Sequence, residues 1–560
     1  MTPPEQTPAL SGSAWQSTVW LFCAIVTIVV VVGKKRVRPI IRAWFAMLLT
    51  LKQKWREKQA STSLPSPARF ARRLGGVLDF SAPNNRHMAR ICLAADFPLG
   101  ISDFFYIRLQ KGQTLDKIPL FPEYFVQPTD INGWTNGSGS RPPLVVLVGA
   151  DAEQRGLLHP FAHHLDRLWV VPDSGEMTRL LLAAQPGQAF AQLLADHLDP
   201  ALLSPYQTNG PIEKAGLFFG RQPLLEALTQ QGRRNHLVMG GQGMGKSSLL
   251  RALMRKHENH PIIQCHLFTP EEADVALPLA RLLGYTNTTD LEALLDELAR
   301  FPDRKKPILL IDDADPFVIT DGARNWEVLR RLQQLSDAGA CHTILAGSWD
   351  LQRMLQTPQA TRLTEWVDLH ALGPLEPDAS WQLVRGPMAW INRTWDSGVC
   401  LDLIQSSGGR PDWAMGLCHA VLEQLGPQDK TIHQNHLDAA KLSRTVGELF
   451  DRWPALLSDH VEENRQDRLV IYSSVAMEPF THGELLSLLQ KKHAPFLTSQ
   501  QSLTGRLSPG EELQQALDRL EMASLLQKAG GRYYYPSRLL QARIMQQHPE
   551  DRLKKALLDH

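Results

Sequence analysis

The sequence predicts an α/β protein built on a parallel sheet, and three observations predict it. From residue 211 onward, short apolar runs alternate with helix-forming runs. One apolar run opens onto Gly240-Gly241-Gln242-Gly243-Met244-Gly245-Lys246-Ser247, of the form G-x-x-x-x-G-K-S. Another, Lys306-Pro307-Ile308-Leu309-Leu310-Ile311, has no polar alternation and ends in Asp312-Asp313. Strands of this kind are buried on both faces, as in a parallel sheet covered by helices.

The glycine-rich stretch is a phosphate-binding loop, the P-loop of nucleoside triphosphatases. His236 to Met239 is the strand before it, and Ser248 to Met254 is the start of the helix after it. Its glycines let successive N–H groups turn inward toward a phosphate, and the helix N-terminus adds a positive dipole. The expected nucleotide contacts are Gly240, Gly241, Gln242, Gly243, Met244, Gly245, Lys246, Ser247 and Ser248. Lys246 supplies a point charge for the β- and γ-phosphates. Ser247 and Asp312 are the expected Mg²⁺ residues, and Asp313 is placed to polarise the attacking water. Lys246 and Asp313 are therefore the catalytic candidates, with ATP and Mg²⁺ as cofactors. No N/T-K-x-D guanine-reading motif follows the acidic strand, which favours adenine. Thr343 to Ser348 is a further strand, with another near Trp366 to Leu369. Ser348, at the carboxyl end where α/β sheets bind ligands, could sense the γ-phosphate or cap the following helix.

A chain of 560 residues exceeds one core, so several domains are expected. The net charge of +1 gives no global reason to bind nucleic acid. Six cysteines lie far apart with no C-x-x-C pair, which suits a reducing compartment and argues against a zinc site or a disulfide framework. After a short N-terminus (1–14), residues 15–33 are uncharged and apolar enough for a transmembrane helix, which needs about 20 residues. No basic residues precede the run and no cleavage site follows it, so a signal peptide fits poorly. Lys34, Lys35, Arg36, Arg38 and Arg42 follow, which sets the N-terminus outside and the bulk of the chain in the cytoplasm. Residues 34–58 read as a basic amphipathic helix on the inner leaflet, or as a shorter second span. Residues 59–84 read as a linker.

Residues 85–205 read as a small α/β domain. Its strands fall at Pro143–Gly149 and Leu168–Val171, with helices over 154–165, 177–184 and 189–197. His159, His163 and His164 lie close together without a cysteine or carboxylate cluster to complete a metal site. No chemistry attaches to this region.

Taken together, Phe219-Gly220-Arg221, the Gly240–Ser247 loop, the D-D-x-D of Asp312 to Asp315 and Leu372-Gly373-Pro374-Leu375 resemble the signal-transduction ATPases with numerous domains, the STAND group related to AAA+ P-loop NTPases. Val384-Arg385-Gly386-Pro387 and Ser407-Gly408-Gly409-Arg410-Pro411, which opens a helix from Trp413 to Leu425, extend the likeness. The resemblance covers residues 211 to 545. It implies an ATPase domain over 211–372, a helical lid over 373–450 and a winged helix in 451–560. The winged-helix elements would be helices at 468–477, 483–489 and 511–520 and a hairpin turning at Gly530-Gly531. Arg506, Lys528, Arg532 and Arg538 could touch DNA, but the near-neutral charge of this segment favours a packing module. Family members of the apoptosis type carry an arginine after the fourth strand, where this chain has Gly347-Ser348-Trp349. Arg410 is a substitute candidate, or an ordinary solvated residue at a helix start. The expected function is a membrane-anchored ATP switch that hydrolyses slowly, with a membrane-tethered DNA-binding ATPase or a structural ATP-binding scaffold as the alternatives. Its expected partners are nucleotide, membrane, another protein and further copies of itself, rather than nucleic acid.

Overall fold

The structure is a computed structural model describing residues 104–108, 144–148, 168–170, 172–173, 175–176, 179, 186–212, 215–229, 235–258, 263–269, 276–282, 290–299, 306–355, 366–493 and 508–558. The expectations for residues 1–84 and 154–165, and for His159, His163, His164 and Arg506, lie outside these residues, as does all of the helix expected at 177–184 except residue 179. Among the described residues no helix is long and apolar enough to cross a membrane. The chain divides into two compact units, Met1–Ser81 with Gly175–Pro186 and Ala82–Ser174 with Gly187–His560. The second holds all the described strands.

Three strands form a small parallel sheet in the order β1-β2-β3: β1 (Phe104–Arg108), β2 (Leu144–Val148) and β3 (Leu168–Val170). β1 is not anticipated from the sequence. The helix that follows, α1 (Pro186–His197), is fastened to the lid. Arg393, buried beneath it, donates from Nη2 to the Ala195 carbonyl at 2.9 Å and to the Pro427 carbonyl at 3.0 Å. Lys430 pairs with Asp196, and the Tyr206 hydroxyl donates to the Val384 carbonyl at 2.7 Å.

The central sheet has five parallel strands, β4 (Asn235–Met239), β5 (Ile263–Phe268), β6 (Lys306–Ile311), β7 (His342–Gly347) and β8 (Val367–Ala371), in the order β5-β6-β7-β4-β8. Side chains alternate between two buried faces. Leu237, Leu309, Ile311 and Leu345 pack on one face with Phe317, Val318, Leu329 and Leu332. Val238, Ile308, Leu310, Ile344 and Ala346 pack on the other with Leu249, Leu250 and Leu253. This double burial is why β6 has no polar alternation. The order sets β7 between β4 and β6, so the P-loop and the acidic strand end lie one strand apart at the same edge.

After α2 (Gln222–Ala227) and α3 (Lys246–His257), the sheet is flanked by α4 (Ala276–Leu282), α5 (Leu291–Ala299), α6 (Asp315–Ala323), α7 (Glu327–Asp337) and α8 (Trp349–Leu355). The segment expected to form the lid, called the lid for its place in the chain, comprises α9 (Pro377–Trp390), α10 (Ser397–Ser407), α11 (Pro411–Leu422) and α12 (Gln434–Leu442), with a short parallel pair β9 (Thr394–Trp395) and β10 (Thr431–Ile432). Then come α13 (Arg444–Asp451), α14 (Val461–Ser474), α15 (His482–His493) and α16 (Pro509–Met522). An antiparallel hairpin follows, β11 (Gln527–Ala529) and β12 (Arg532–Tyr534), then α17 (Arg538–Gln546) and α18 (Pro549–Leu558). Gly530 and Gly531, at φ 58° and 78°, make the hairpin turn. Inside this module Arg519 Nε donates to Asp467 Oδ1 at 2.8 Å, and both side chains are almost fully buried. Burial pushes the Asp467 carboxyl up to about 6, against the pull of Arg519.

One consequence for stability concerns β4. His236 Nδ1 lies 3.1 Å from His370 Nε2 on β8. Burial, and then the neighbouring His370, push His236 down from 6.5 to about 4. The unfolded chain therefore binds a proton at His236 below pH 6.5, and the native chain does not until about pH 4. Stability falls as the pH drops through that window, by about 3 kcal/mol from this group. Urea midpoints taken from pH 7 to 4 should decline less steeply for His236→Gln than for the native chain. Parallel curves for the two would contradict the assignment.

Candidate functional site

The P-loop follows directly from β4. Its first residue, Gly240, donates its N–H to the Gly347 carbonyl at 3.2 Å, and the Met239 carbonyl accepts from the Leu372 N–H at 2.6 Å. Gly243 and Gly245 have φ of 81° and 93°, a left-handed conformation that other residues reach only with strain. A side chain on Gly243 would also collide with the Asp412 carboxylate. A Cβ on Gly245 would meet nothing within 4 Å. Helix α3 begins at Lys246, so its first N–H groups face the loop's hollow.

Lys246 is almost buried, and its Nζ donates to the Gly240 carbonyl at 2.8 Å and the Gly241 carbonyl at 3.2 Å. Burial lowers its pKa, against the pull of Asp315, Asp313 and Asp312. Asp312 is buried just past the end of β6. Burial raises its pKa, a hydrogen bond from the Ser247 hydroxyl is the largest opposing influence, and the Asp313 N–H donates to Oδ1 at 3.2 Å. Asp313 is exposed, with φ 47°, and lines the same cavity as Gln242 to Ser248. The structure thus brings Lys246, Ser247, Asp312 and Asp313 to one place. The Ser247 hydroxyl and the Asp312 carboxylate are hard oxygen donors, the type that suits Mg²⁺. Among the described residues no cluster of three or more His, Cys, Asp or Glu offers a rival metal site.

The cavity measures about 530 Å³. Gln207 to Ile212, Phe218, Phe219, Pro411 to Trp413, Leu449 and Arg452 are among its lining residues. Two expected contacts have other side-chain duties. Met244 is buried among the sheet residues, which leaves only its backbone for the loop. Ser248 Oγ accepts the Ile212 N–H at 2.9 Å and so fixes the wall segment to α3.

Ser348 is set apart from this cavity. Its N–H donates to Asp315 at 2.9 Å and its Oγ lies 3.0 Å from Asp315 Oδ1, which also accepts the Leu351 N–H at 2.9 Å. Asp315 thereby caps α8, and Ser348 borders a separate, smaller cavity with Gly241, Gln242 and Arg519. Of the two sequence readings for Ser348, the structure favours the start of α8 and sets the hydroxyl outside the phosphate cavity.

Arg410 is not solvated at all. It is fully buried, with its guanidinium 4.6 Å from the Trp413 ring centroid. Nη2 donates to the Gln242 carbonyl at 2.7 Å and to Asp412 Oδ2 at 2.8 Å, Nε donates to Asp412 Oδ1 at 3.2 Å, and Nη1 donates to the Ala523 carbonyl. One residue thus joins the P-loop, the lid and the C-terminal module. Beside it the Gly241 N–H donates to the Met522 carbonyl at 3.1 Å, and Ser524 Oγ lies 3.5 Å from Met244 Sδ. Sequence reasoning missed this junction, since no local signal connects residues 522–524 with the loop. Of the arginines considered for DNA, Arg532 donates to the Pro479 carbonyl at 2.9 Å and pairs with Glu484 at 3.2 Å.

Residues 203–470 match the sequence model of the family described as novel STAND NTPase 1, a stretch that contains the whole cavity wall. No curated protein matches the chain. Among solved structures, a Walker-type ATPase of Pyrococcus abyssi is 16% identical, covers 60% of this chain and 98% of its own, and superposes with a TM-score of 0.39. The ORC2 protein of Aeropyrum pernix is 13% identical, with coverage of 60% and 93% and a TM-score of 0.41. The RuvB Holliday junction branch migration motor of Thermotoga maritima is 12% identical, with coverage of 58% and 94% and a TM-score of 0.31. These overlaps are too loose to carry a function. Residues 203–470, which hold the P-loop and the acidic strand end, are thus similar to a STAND-type P-loop NTPase.

Proposed function

We propose that the chain is a membrane-anchored cytoplasmic switch that binds ATP with Mg²⁺ and hydrolyses it slowly. The observation that carries this reading is the meeting of Lys246, Ser247 and Asp313 on one cavity, with Asp312 bonded to the Ser247 hydroxyl and residues 411–413 on the same lining. Lys246 and the loop N–H groups would hold the phosphates, and Ser247 and Asp312 would hold Mg²⁺, which when bound neutralises charge on the phosphate oxygens. Asp313 would take the role of polarising water. It is one carbon shorter than glutamate, in keeping with slow turnover. Adenine is favoured because the chain lacks a guanine-reading motif after β6.

Switching requires a ligand with different affinities for two conformations. The parts that could move are the lid and the C-terminal module, both joined to the loop through Arg410. We read that module, with α14, α15, α16 and the β11–β12 hairpin, as a winged helix used for packing. The Arg532–Glu484 pair supports packing over DNA contact. Membrane anchoring rests on the apolar run at 15–33 and the basic residues after it. An extended partner list, with a second protein and further copies of this chain, follows from the switch reading.

Asp313→Asn tests the chemistry. ATP affinity should stay within about threefold of the native value, while steady-state phosphate release falls by about 100-fold. Undiminished release would remove Asp313 from the reaction. A native chain that binds ATP and releases no phosphate would instead be a structural ATP-binding scaffold.

A further inference from the structure

We propose that the smaller cavity beside the P-loop is a binding site for a small primary ammonium compound, held by the second carboxylate oxygen of Asp467. The cavity measures about 150 Å³. Its lining comes from both sides of one seam. Gly241, Trp349 and Asp350 belong to the P-loop and α8, and Asp467, Arg519 and Met522 belong to α14 and α16. Asp467 is fully buried. Its Oδ1 accepts from Arg519 Nε at 2.8 Å and lies 2.8 Å from Arg519 Nη2. Its Oδ2 meets no donor of the protein at hydrogen-bond distance. Among the described residues, no other side-chain atom buried in that condition belongs to this cavity's lining.

The lining sets the chemistry of the occupant. A buried carboxylate oxygen calls for a donor, and the neighbouring donors are committed elsewhere. Arg519 Nη2 also donates to Gln466 Oε1 at 3.1 Å and to the Glu463 carbonyl at 3.4 Å. The Trp349 indole N–H and the Ser458 hydroxyl both donate to Glu463 Oε2, at 3.1 Å and 2.6 Å. The charge of the lining is negative, with Asp350, Asp459 and Asp467 against Arg519. Asp350 is further paired with Arg353 and His460, and Asp459 is exposed. That balance disfavours an anion. Nor do three His, Cys, Asp or Glu side chains converge to hold a metal ion among the described residues. A primary ammonium brings a positive charge and three N–H donors in one compact head. The volume is well above the roughly 10–15 Å³ that one water needs, and Leu456, Leu520 and Met522 offer apolar surface to a short stem. Burial pushes the Asp467 carboxyl up to about 6, with Arg519 and the Ser458 N–H pulling the other way, and a bound cation would add to that pull. An occupant between α14, α16 and the P-loop would favour the arrangement in which these parts stay joined.

The test titrates the nucleotide-free full chain with ethylammonium chloride and follows the urea midpoint, with tetramethylammonium chloride and sodium chloride at equal ionic strength as controls. Ethylammonium should raise the midpoint and saturate. Tetramethylammonium, which has no N–H, and sodium should not. Asp467→Asn keeps the size of the side chain and removes its charge, and should weaken the response by about tenfold or more. Equal midpoints in the three salts would overturn the proposal, as would a full ethylammonium response in Asp467→Asn. Should that variant fail to fold, the pH dependence of the native chain decides. The charged groups around Asp467 are Arg519 and Glu463, and across the cavity Asp459 and Asp350 with its partners Arg353 and His460. Ethylammonium affinity should fall by about tenfold from pH 7 to pH 5 as the Asp467 carboxyl takes up its proton, in the native chain and in His460→Gln alike. An affinity independent of pH would overturn the proposal, and so would a pH dependence that vanishes in His460→Gln.

Discussion

Lys246→Ala should weaken ATP binding by about 100-fold or more while leaving the chain folded. Two losses combine. The first is a charge-assisted contact to the phosphates, of about 1.5–3 kcal/mol for hydrogen bonds to a charged group. The second is loop order. Lys246 Nζ donates to both Gly240 and Gly241 carbonyls, and so braces the start of the loop against the helix that ends it. Stability should change little, because burial already disfavours the lysine's charge and its removal relieves that cost. Burial also fixes the sign of the pH dependence. The depressed Lys246 loses its proton below the ordinary 10.5, so nucleotide affinity in the native chain should decline at a lower alkaline pH than an exposed lysine would require. Calorimetric titration with Mg-ATP, together with a melting curve for each protein, checks both parts. A well-folded variant with native affinity would remove the P-loop from nucleotide binding.

The parts of this site legible in the sequence are those where chemistry demands fixed residues at fixed spacing. Gly243 and Gly245 are required by their backbone angles, Lys246 and Ser247 by phosphate and metal, and Asp312 by its place after a strand buried on both faces. What escaped the sequence is set by distant backbone. A Gly-Gly-Arg-Pro segment reads as a solvated helix start, yet Arg410 is buried because the carbonyls of Gln242 and Ala523 converge on it. Ser348 read equally as a sensor or a cap, and Asp315 at the start of α6 decides its bonds. The helix ending at His197 read as part of the preceding α/β domain. Arg393, about two hundred positions later, fastens it to the lid.

Arg410→Met should destabilise the chain by about 2–3 kcal/mol, less than a fully buried pair because Asp412 is partly exposed, and free the C-terminal module from the P-loop. The substitution keeps much of the volume over the Trp413 ring but removes every donor. The buried Ala523 carbonyl and the part-buried Gln242 carbonyl then lose a charged partner, and the partly exposed Asp412 loses its counter-charge. Leaving polar groups unpaired in this way costs far more than the net worth of the bonds when intact. Arg410→Lys should recover little, because an ammonium cannot span two carbonyls and a carboxylate in the plane that the guanidinium occupies. The loss should also be local. Without Arg410 the remaining direct ties at this junction are the Gly241–Met522 bond and the weak Ser524–Met244 contact. Backbone amide exchange should therefore accelerate at residues 241–244 and 523–526 more than in β6 or β7, with urea unfolding shifted to lower concentration. Uniform acceleration across the sheet would mean that Arg410 serves the core as a whole. An unchanged exchange pattern with native stability would show that the C-terminal module is held to the loop by something other than this arginine.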